Sequence, residues 1–158
     1  MDFNYYTDVY GQTCLDLASQ CKTSLGFGSV LVKDGIIIGK GRNKLSTKSD
    51  RCTLSHVDYS THAEQAAIID AIENNYNVLN SVVYVLGVVL KGHNKGKLTI
   101  KEKPVFICSH CIHSLVRFSI SVAIPLNNGW YVMSPQEAFI SGKEMSGKGY
   151  WNNFVYGQ

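Results

Sequence analysis

No apolar run in this 158-residue chain reaches the roughly 18 residues that a membrane span requires. The opening stretch, MDFNYYTDVYGQ, is polar and acidic and lacks the apolar middle of a secretory leader, so a cytoplasmic protein with no membrane partner is expected. Charge is scarce as well. A formal net charge of +3 does not demand a nucleic-acid partner, and it leaves room for an anionic small substrate such as a nucleotide. The five cysteines, Cys14, Cys21, Cys52, Cys108 and Cys111, form an odd set that fits poorly with a secreted disulfide framework. No internal repeat or interdomain linker is present, and SGKEMSGKG lacks both P-loop spacing and a strand leading into it, which removes an ATP site. What remains is a single domain over 1–158, with 45% hydrophobic residues to build its core.

Hydrophobic periodicity supplies the elements. Tyr10, Cys14, Leu17 and Cys21 fall at steps of four, three and four, one stripe of a helix between Asp8 and Cys21, so Cys14 and Cys21 read as packing residues. Two β-rich runs, Ser29 to Val32 and Ile36 to Ile38, meet at Asp34-Gly35, a strong hairpin signal. Arg42 to Tyr59 is polar and aperiodic, a long loop. A helix then runs from about Thr61 to about Asn74, with Ala63, Ala67, Ile68, Ala71 and Ile72 facing inward. SVVYVLGVVL reads as a central strand buried on both faces, and KGHNKGKLTIKEKP as a Lys-rich excursion. A helix from about Ser109 to Phe118 and the strand ISVAI complete a crossover that favours parallel pairing. After the turn Asn127-Asn128-Gly129, WYVM reads as an edge strand. Ser134, Pro135 and Glu137 then open a last helix that Gly142 is expected to stop. The sum is an α/β fold, a mixed sheet of about five strands with helices on both faces.

Two short motifs carry chemistry. STHAEQAAI places His62 and Glu64 in the first turn of a helix, and ICSHC places Cys108 and Cys111 at the mouth of another. Zinc takes deprotonated thiolates and neutral imidazole, and a catalytic site keeps three protein ligands and one open position; His62, Cys108 and Cys111 supply that set. Zinc lowers the pKa of water from about 15.7 to about 7, and Glu64 is placed to take its proton without binding the metal. The plain alternatives stand beside this. An acid at a helix start is favourable by itself. C-x-x-C also serves redox pairs, and a structural zinc knuckle from Cys108, His110, Cys111 and His113 would crowd adjacent ligands on one ion. Cys52 and His56 read as a loop thiol and a solvated imidazole before they read as a second metal site.

With these motifs the chain resembles the zinc-dependent cytidine and deoxycytidylate deaminase superfamily, whose signature is H-x-E followed by P-C-x-x-C. The resemblance runs from about Gly26 to about Pro125. It covers the hairpin GSVLVKDGIIIGKGRN, His62-Ala63-Glu64, Cys108-Ser109-His110-Cys111 and the order in which they occur. It implies a three-layer α/β/α cytidine-deaminase-like fold, zinc on His62, Cys108 and Cys111, and Glu64 as proton shuttle. It also implies substrate contacts from Asn43, just after the second strand, and from Ala63. Histidine as first ligand resembles the deoxycytidylate and tRNA-deaminase branch, which implies parallel fourth and fifth strands. Ile107 stands where the family has proline, and the segment from Lys91 to Lys103 lengthens the gap between the motifs.

The expected activity is hydrolytic deamination of a cytosine nucleoside or nucleotide, deoxycytidylate leading. The alternatives are a deaminase acting on a base in single-stranded DNA or RNA, and a non-catalytic binding module with the same fold. Lys91, Lys95, Lys97, Lys101 and Lys103 would track a phosphate backbone or hold one nucleotide phosphate, and for the nucleic-acid alternative Tyr150, Trp151, Phe154 and Tyr156 would stack on bases. A solvated hairpin and a tail packed on its own domain, or on a second subunit of a homo-oligomer, are the simpler readings.

Overall fold

The computed structural model of the chain describes residues 2–45, 60–102 and 109–145, with the backbone alone at 44–45, 60–61, 109–112 and 142–145. The first helix, α1 (Val9–Ala18), is followed by β1 (Leu25–Lys33) and β2 (Ile36–Arg42). Asp34 and Gly35 between these strands have φ of 52° and 79°, the paired left-handed geometry of a two-residue hairpin turn. Short strands β3 (Lys44–Leu45) and β4 (Ser60–Thr61) pair antiparallel, Lys44 with Thr61 and Leu45 with Ser60; the stretch 46–59, expected as part of a long loop, lies outside the described residues. The chain continues through α2 (Ala63–Glu73), β5 (Val82–Val89), α3 (Ser109–Phe118), β6 (Ser121–Leu126), β7 (Gly129–Met133) and α4 (Pro135–Met145). No described helix is long and apolar enough to cross a membrane.

The five-stranded sheet has the order β2-β1-β5-β6-β7. β1 is antiparallel to both β2 and β5, which makes β2 parallel to β5, and β5 is parallel to β6. Each parallel step is bridged by a helix, α2 from β2 to β5 and α3 from β5 to β6, as parallel connections require. Helices lie on both faces, as the sequence pattern predicts. On one face Ala63, Ala67, Ile68 and Ala71 of α2, Leu115 of α3 and Ala138 of α4 pack on Phe27, Leu31, Val83, Val85, Val122 and Ile124. On the other, Cys14 and Leu17 of α1 meet Val30, Val32 and Leu86. Trp130 stacks edge-on against Tyr5 and Tyr84 there, with ring centroids 4.9 and 5.0 Å apart.

Glycines set how closely the helices approach. A Cβ on Gly41 would sit 2.4 Å from the Ala67 nitrogen and 2.5 Å from the Ala63 carbonyl oxygen, so α2 lies directly on β2, its first turn over the strand's end. On the opposite face a Cβ on Gly28 would sit 1.9 Å from the Cys14 carbonyl oxygen. Both helices rest on bare backbone.

Three expectations are corrected. The fourth and fifth strands of the sheet, β6 and β7, are antiparallel, not parallel as the histidine-ligand branch implies. The two-residue turn at Asn127-Asn128 dictates this, because parallel strands need a crossover of a dozen residues or more. Gly142 lies inside α4 instead of ending it; an interior glycine costs a helix only about 1 kcal/mol. Cys21 falls three residues beyond α1, yet it is buried and its thiol donates to the Asn43 carbonyl oxygen at 3.2 Å.

Candidate active site

Topology brings Asn43, the start of α2 with His62, Ala63 and Glu64, and the start of α3 with Cys111 to one edge of the sheet. In a parallel crossover the helix runs antiparallel to its strands, so α2 and α3 both start at the carboxyl end of β5, and the two helices pack together. Asn43 follows the carboxyl end of β2 at this same edge. Ligands of open α/β sheets bind at such carboxyl ends.

His62 is the N-cap residue of α2, with φ −75° and ψ 146°, and its side chain makes no capping hydrogen bond. It is 4% exposed, and Glu64, in the first turn, is 0% exposed. Holding a carboxyl group out of water costs several kcal/mol unless charge or hydrogen bonds compensate, so packing alone gives no reason for a glutamate there. Ala63 buries its methyl group in the core, which leaves its backbone N–H, one of the first-turn donors without an intrahelical partner, as the group it can offer a substrate.

The Asn43 amide is oriented by its neighbours. Oδ1 accepts the Phe27 N–H at 2.7 Å and the Cys21 thiol at 3.1 Å, while Nδ2 makes only long contacts, 3.4 Å to Thr23 Oγ1 and 3.5 Å to the Leu25 carbonyl oxygen. An oxygen fixed on the strand leaves the amide N–H groups as the exchangeable side. Cys14 and Cys21 are buried, and burial pushes both thiols up, Cys14 furthest, so neither is disposed to ionise. Their reading as packing residues agrees with this.

Cys108, Cys52, His56, Lys103, Ile107 and the aromatic tail at 150–156 lie outside the described residues. Cys111 belongs to the first turn of α3 by its backbone. Among the described residues no three His, Cys, Asp or Glu side chains come together as a metal site. The described part nonetheless suits zinc: a buried imidazole not spent on capping its helix, with α3 bringing a cysteine of the CxxC pair to the same edge.

One group at this face was not singled out from the sequence. Ser29 is fully buried, in phase with Phe27 and Leu31 toward α2, and its hydroxyl has no hydrogen-bond partner among the described residues. A serine at an apolar phase of GFGSVLV was the available signal. Lys101, one of the five lysines already named, is partly buried, and burial pushes its ammonium down to about 8 against the opposing pull of Glu64.

The sheet order and its helices define a mixed α/β fold of the cytidine-deaminase type. The model of the cytidine and deoxycytidylate deaminase zinc-binding region matches residues 7–125, so the chain belongs to that family. A cytidine deaminase from Burkholderia pseudomallei shares the fold with TM-score 0.53 and 15% identity, over 80% of this chain and 91% of that one. The dCMP deaminase of cyanophage S-TIM5 in apo form is similar at TM-score 0.43 and 20% identity, over 72% of this chain and 76% of that one. The same cyanophage enzyme in complex with dCMP and dUMP gives TM-score 0.44 and 16% identity, over 70% and 74%. Sequence comparison with curated proteins finds no match.

Proposed function

We propose that the protein catalyses hydrolytic deamination of a cytosine nucleoside or nucleotide, exchanging the exocyclic amino group for a carbonyl oxygen from water and releasing ammonia. The observation that carries the reading is Glu64. It is a fully buried carboxyl group in the first turn of α2, two residues after a buried histidine, in a chain of the deaminase family. His62, Cys108 and Cys111 would hold zinc. When bound, zinc supplies a Lewis acid that lowers the pKa of water toward neutrality. Glu64 takes one proton of the attacking water and delivers it to the pyrimidine N3, then takes the remaining proton from the new C4 hydroxyl and passes it to the amino group, which leaves as ammonia as the carbonyl forms. Asn43 presents its amide N–H groups, and Ala63 its backbone N–H, to orient the substrate. Glu64 is fully buried, which keeps bulk water from its carboxylate.

The antiparallel β6–β7 pair separates the chain from the branch that would have favoured deoxycytidylate on analogy alone. The substrate class therefore needs direct support from side chains. Ammonia release by the zinc-loaded protein, measured on cytidine, deoxycytidine, their monophosphates and short single strands, tests the reading. Turnover of a free cytosine compound is expected. Turnover confined to oligonucleotides would replace the proposal with a nucleic-acid deaminase, and none on any substrate with zinc bound would remove the enzymatic reading.

A further inference from the structure

β1 carries a serine in an otherwise apolar phase, and the register of the sheet fixes what lies over it. Ser29 pairs with Gly41 of β2 on one side and with Val85 of β5 on the other. Partners across a sheet share a face, and Gly41 is where the first turn of α2 rests: a Cβ there would sit 2.5 Å from the Ala63 carbonyl oxygen and 2.4 Å from the Ala67 nitrogen. Two residues further along β1, Leu31 pairs with Gly39, where a Cβ would sit 2.2 Å from the Ala67 carbonyl oxygen and 3.0 Å from the Ala71 methyl carbon. Ala63, Ala67 and Ala71 therefore form the stripe of α2 that lies on β2.

Glu64 and Ile68, four residues apart, form the next stripe. The flank opposite to it belongs to Asp70, whose carboxylate accepts the Lys40 N–H of β2 at 3.0 Å, so the stripe of Glu64 and Ile68 faces β1. Ile68 packs in one core cluster with Leu31, and Glu64, a turn earlier, comes down at the level of Ser29. Burial raises the Cys14 thiol most, and Glu64 adds to it from across the sheet, which agrees with a carboxylate over β1. Ser29 and Glu64 are both fully buried, and the Ser29 hydroxyl has no hydrogen-bond partner among the described residues. A hydroxyl buried without a partner destabilises a fold, and alanine would fill this place without that cost. Packing alone gives no reason for the oxygen. Hydrogen bonds of a catalytic site are often long before substrate binds and tighten in the complex. A hydroxyl turns to suit its neighbour, and because it both donates and accepts it can serve a carboxylate before and after a proton is taken up.

We infer that Ser29 is a positioning residue for Glu64: in the substrate complex its hydroxyl hydrogen-bonds the carboxyl group from the sheet side and holds it toward the attacking water. This rests on the deaminase reading and adds a residue to the same site.

Ser29→Ala tests this in the zinc-loaded protein, with kcat and KM measured on cytidine, deoxycytidine and their monophosphates. kcat should fall about tenfold, the scale of one hydrogen bond to a charged group, while KM and zinc content stay within about twofold of wild type. The melting temperature should hold or rise, because a buried hydroxyl without a partner has been removed. Added to Glu64→Gln, Ser29→Ala should lower turnover no further, the non-additivity of two groups that act through one contact. A Ser29→Ala protein with wild-type kcat, one that raises KM alone, or one whose melting temperature drops and whose kcat loss persists in full on the Glu64→Gln background would overturn the inference while the deaminase reading stood. A wild-type protein that turns over none of these compounds would overturn both.

Discussion

Helices α1 and α2 leave the preceding chain with nearly the same backbone, Asp8 at φ −74° and ψ 136°, His62 at φ −75° and ψ 146°. Asp8 does what that geometry favours: its carboxylate accepts the Gly11 N–H at 2.9 Å and also the Trp130 indole N–H at 2.8 Å, tying the helix start to β7. His62 does not cap, and the acid of its helix is Glu64, placed in the first turn and fully buried. One start is capped by its own side chain, and the other buries a histidine and a glutamate without a side-chain cap. The difference lies in how side chains are spent, since the backbone and the burial of the two helices on glycine-bearing strands are alike.

The largest effect should come from Glu64→Gln, which keeps the shape and removes the proton acceptor. Turnover is expected to fall about 10³-fold, within the range for general acid–base catalysis, with zinc content by elemental analysis unchanged. Thermal stability should hold or rise, because a buried carboxyl group becomes a neutral amide. A variant keeping more than about a tenth of wild-type turnover would remove Glu64 from the mechanism.

A paired test on the glycines comes next. Gly28→Ala and Gly41→Ala each press a methyl group into helix backbone, at 1.9 Å from the Cys14 carbonyl oxygen and 2.4 Å from the Ala67 nitrogen, and neither contact can be relieved by turning a side chain. Each should cost about 1–3 kcal/mol in denaturant unfolding. Gly41→Ala alone displaces the first turn of α2, and kcat/KM per folded molecule should drop by up to about 10²-fold, whereas Gly28→Ala should leave it near wild type. Equal kinetic losses would mean that the two helices are not separable in function.

Asp8→Ala should then cost about 2 kcal/mol, from the lost cap and the stranded Trp130 N–H, with unaltered kinetics. A stability change below about 0.5 kcal/mol by urea titration would show that the α1 start is not the structural one.

Much of this contrast was legible in the residues. SHCIHSLVRF marks α3 at its observed bounds, and Asp34-Gly35 marks the hairpin turn. The HAE motif pointed to His62 and Glu64 before their burial was visible. The pairing of the last two strands was misread because a family analogy was allowed to outrank a local signal: Asn127-Asn128-Gly129 is a turn too short for parallel strands. The partial burial of Lys101 was hidden for a different reason. The alternation in KLTIK is plain, with Leu98 and Ile100 in one phase, and the polar phase of such a strand is assigned to solvent by default. Only tertiary placement shows that this phase faces the layer of α2.

The smallest effect is also the most direct way to break the comparison, by making the α2 start resemble that of α1. Asparagine is among the strongest N-cap residues, and the backbone at His62 already has the extended geometry a cap needs. In metal-stripped protein, His62→Asn should therefore raise unfolding stability by about 1 kcal/mol, the usual worth of a cap. Added zinc should stabilise the wild type and leave the variant unmoved, since a ligand stabilises only the state that binds it. A crossing of the two melting temperatures on zinc addition would show that this position trades helix stability for metal. If His62→Asn were less stable than wild type in both conditions, the imidazole would be a structural member of the core, and the two helix starts would differ in degree and not in kind.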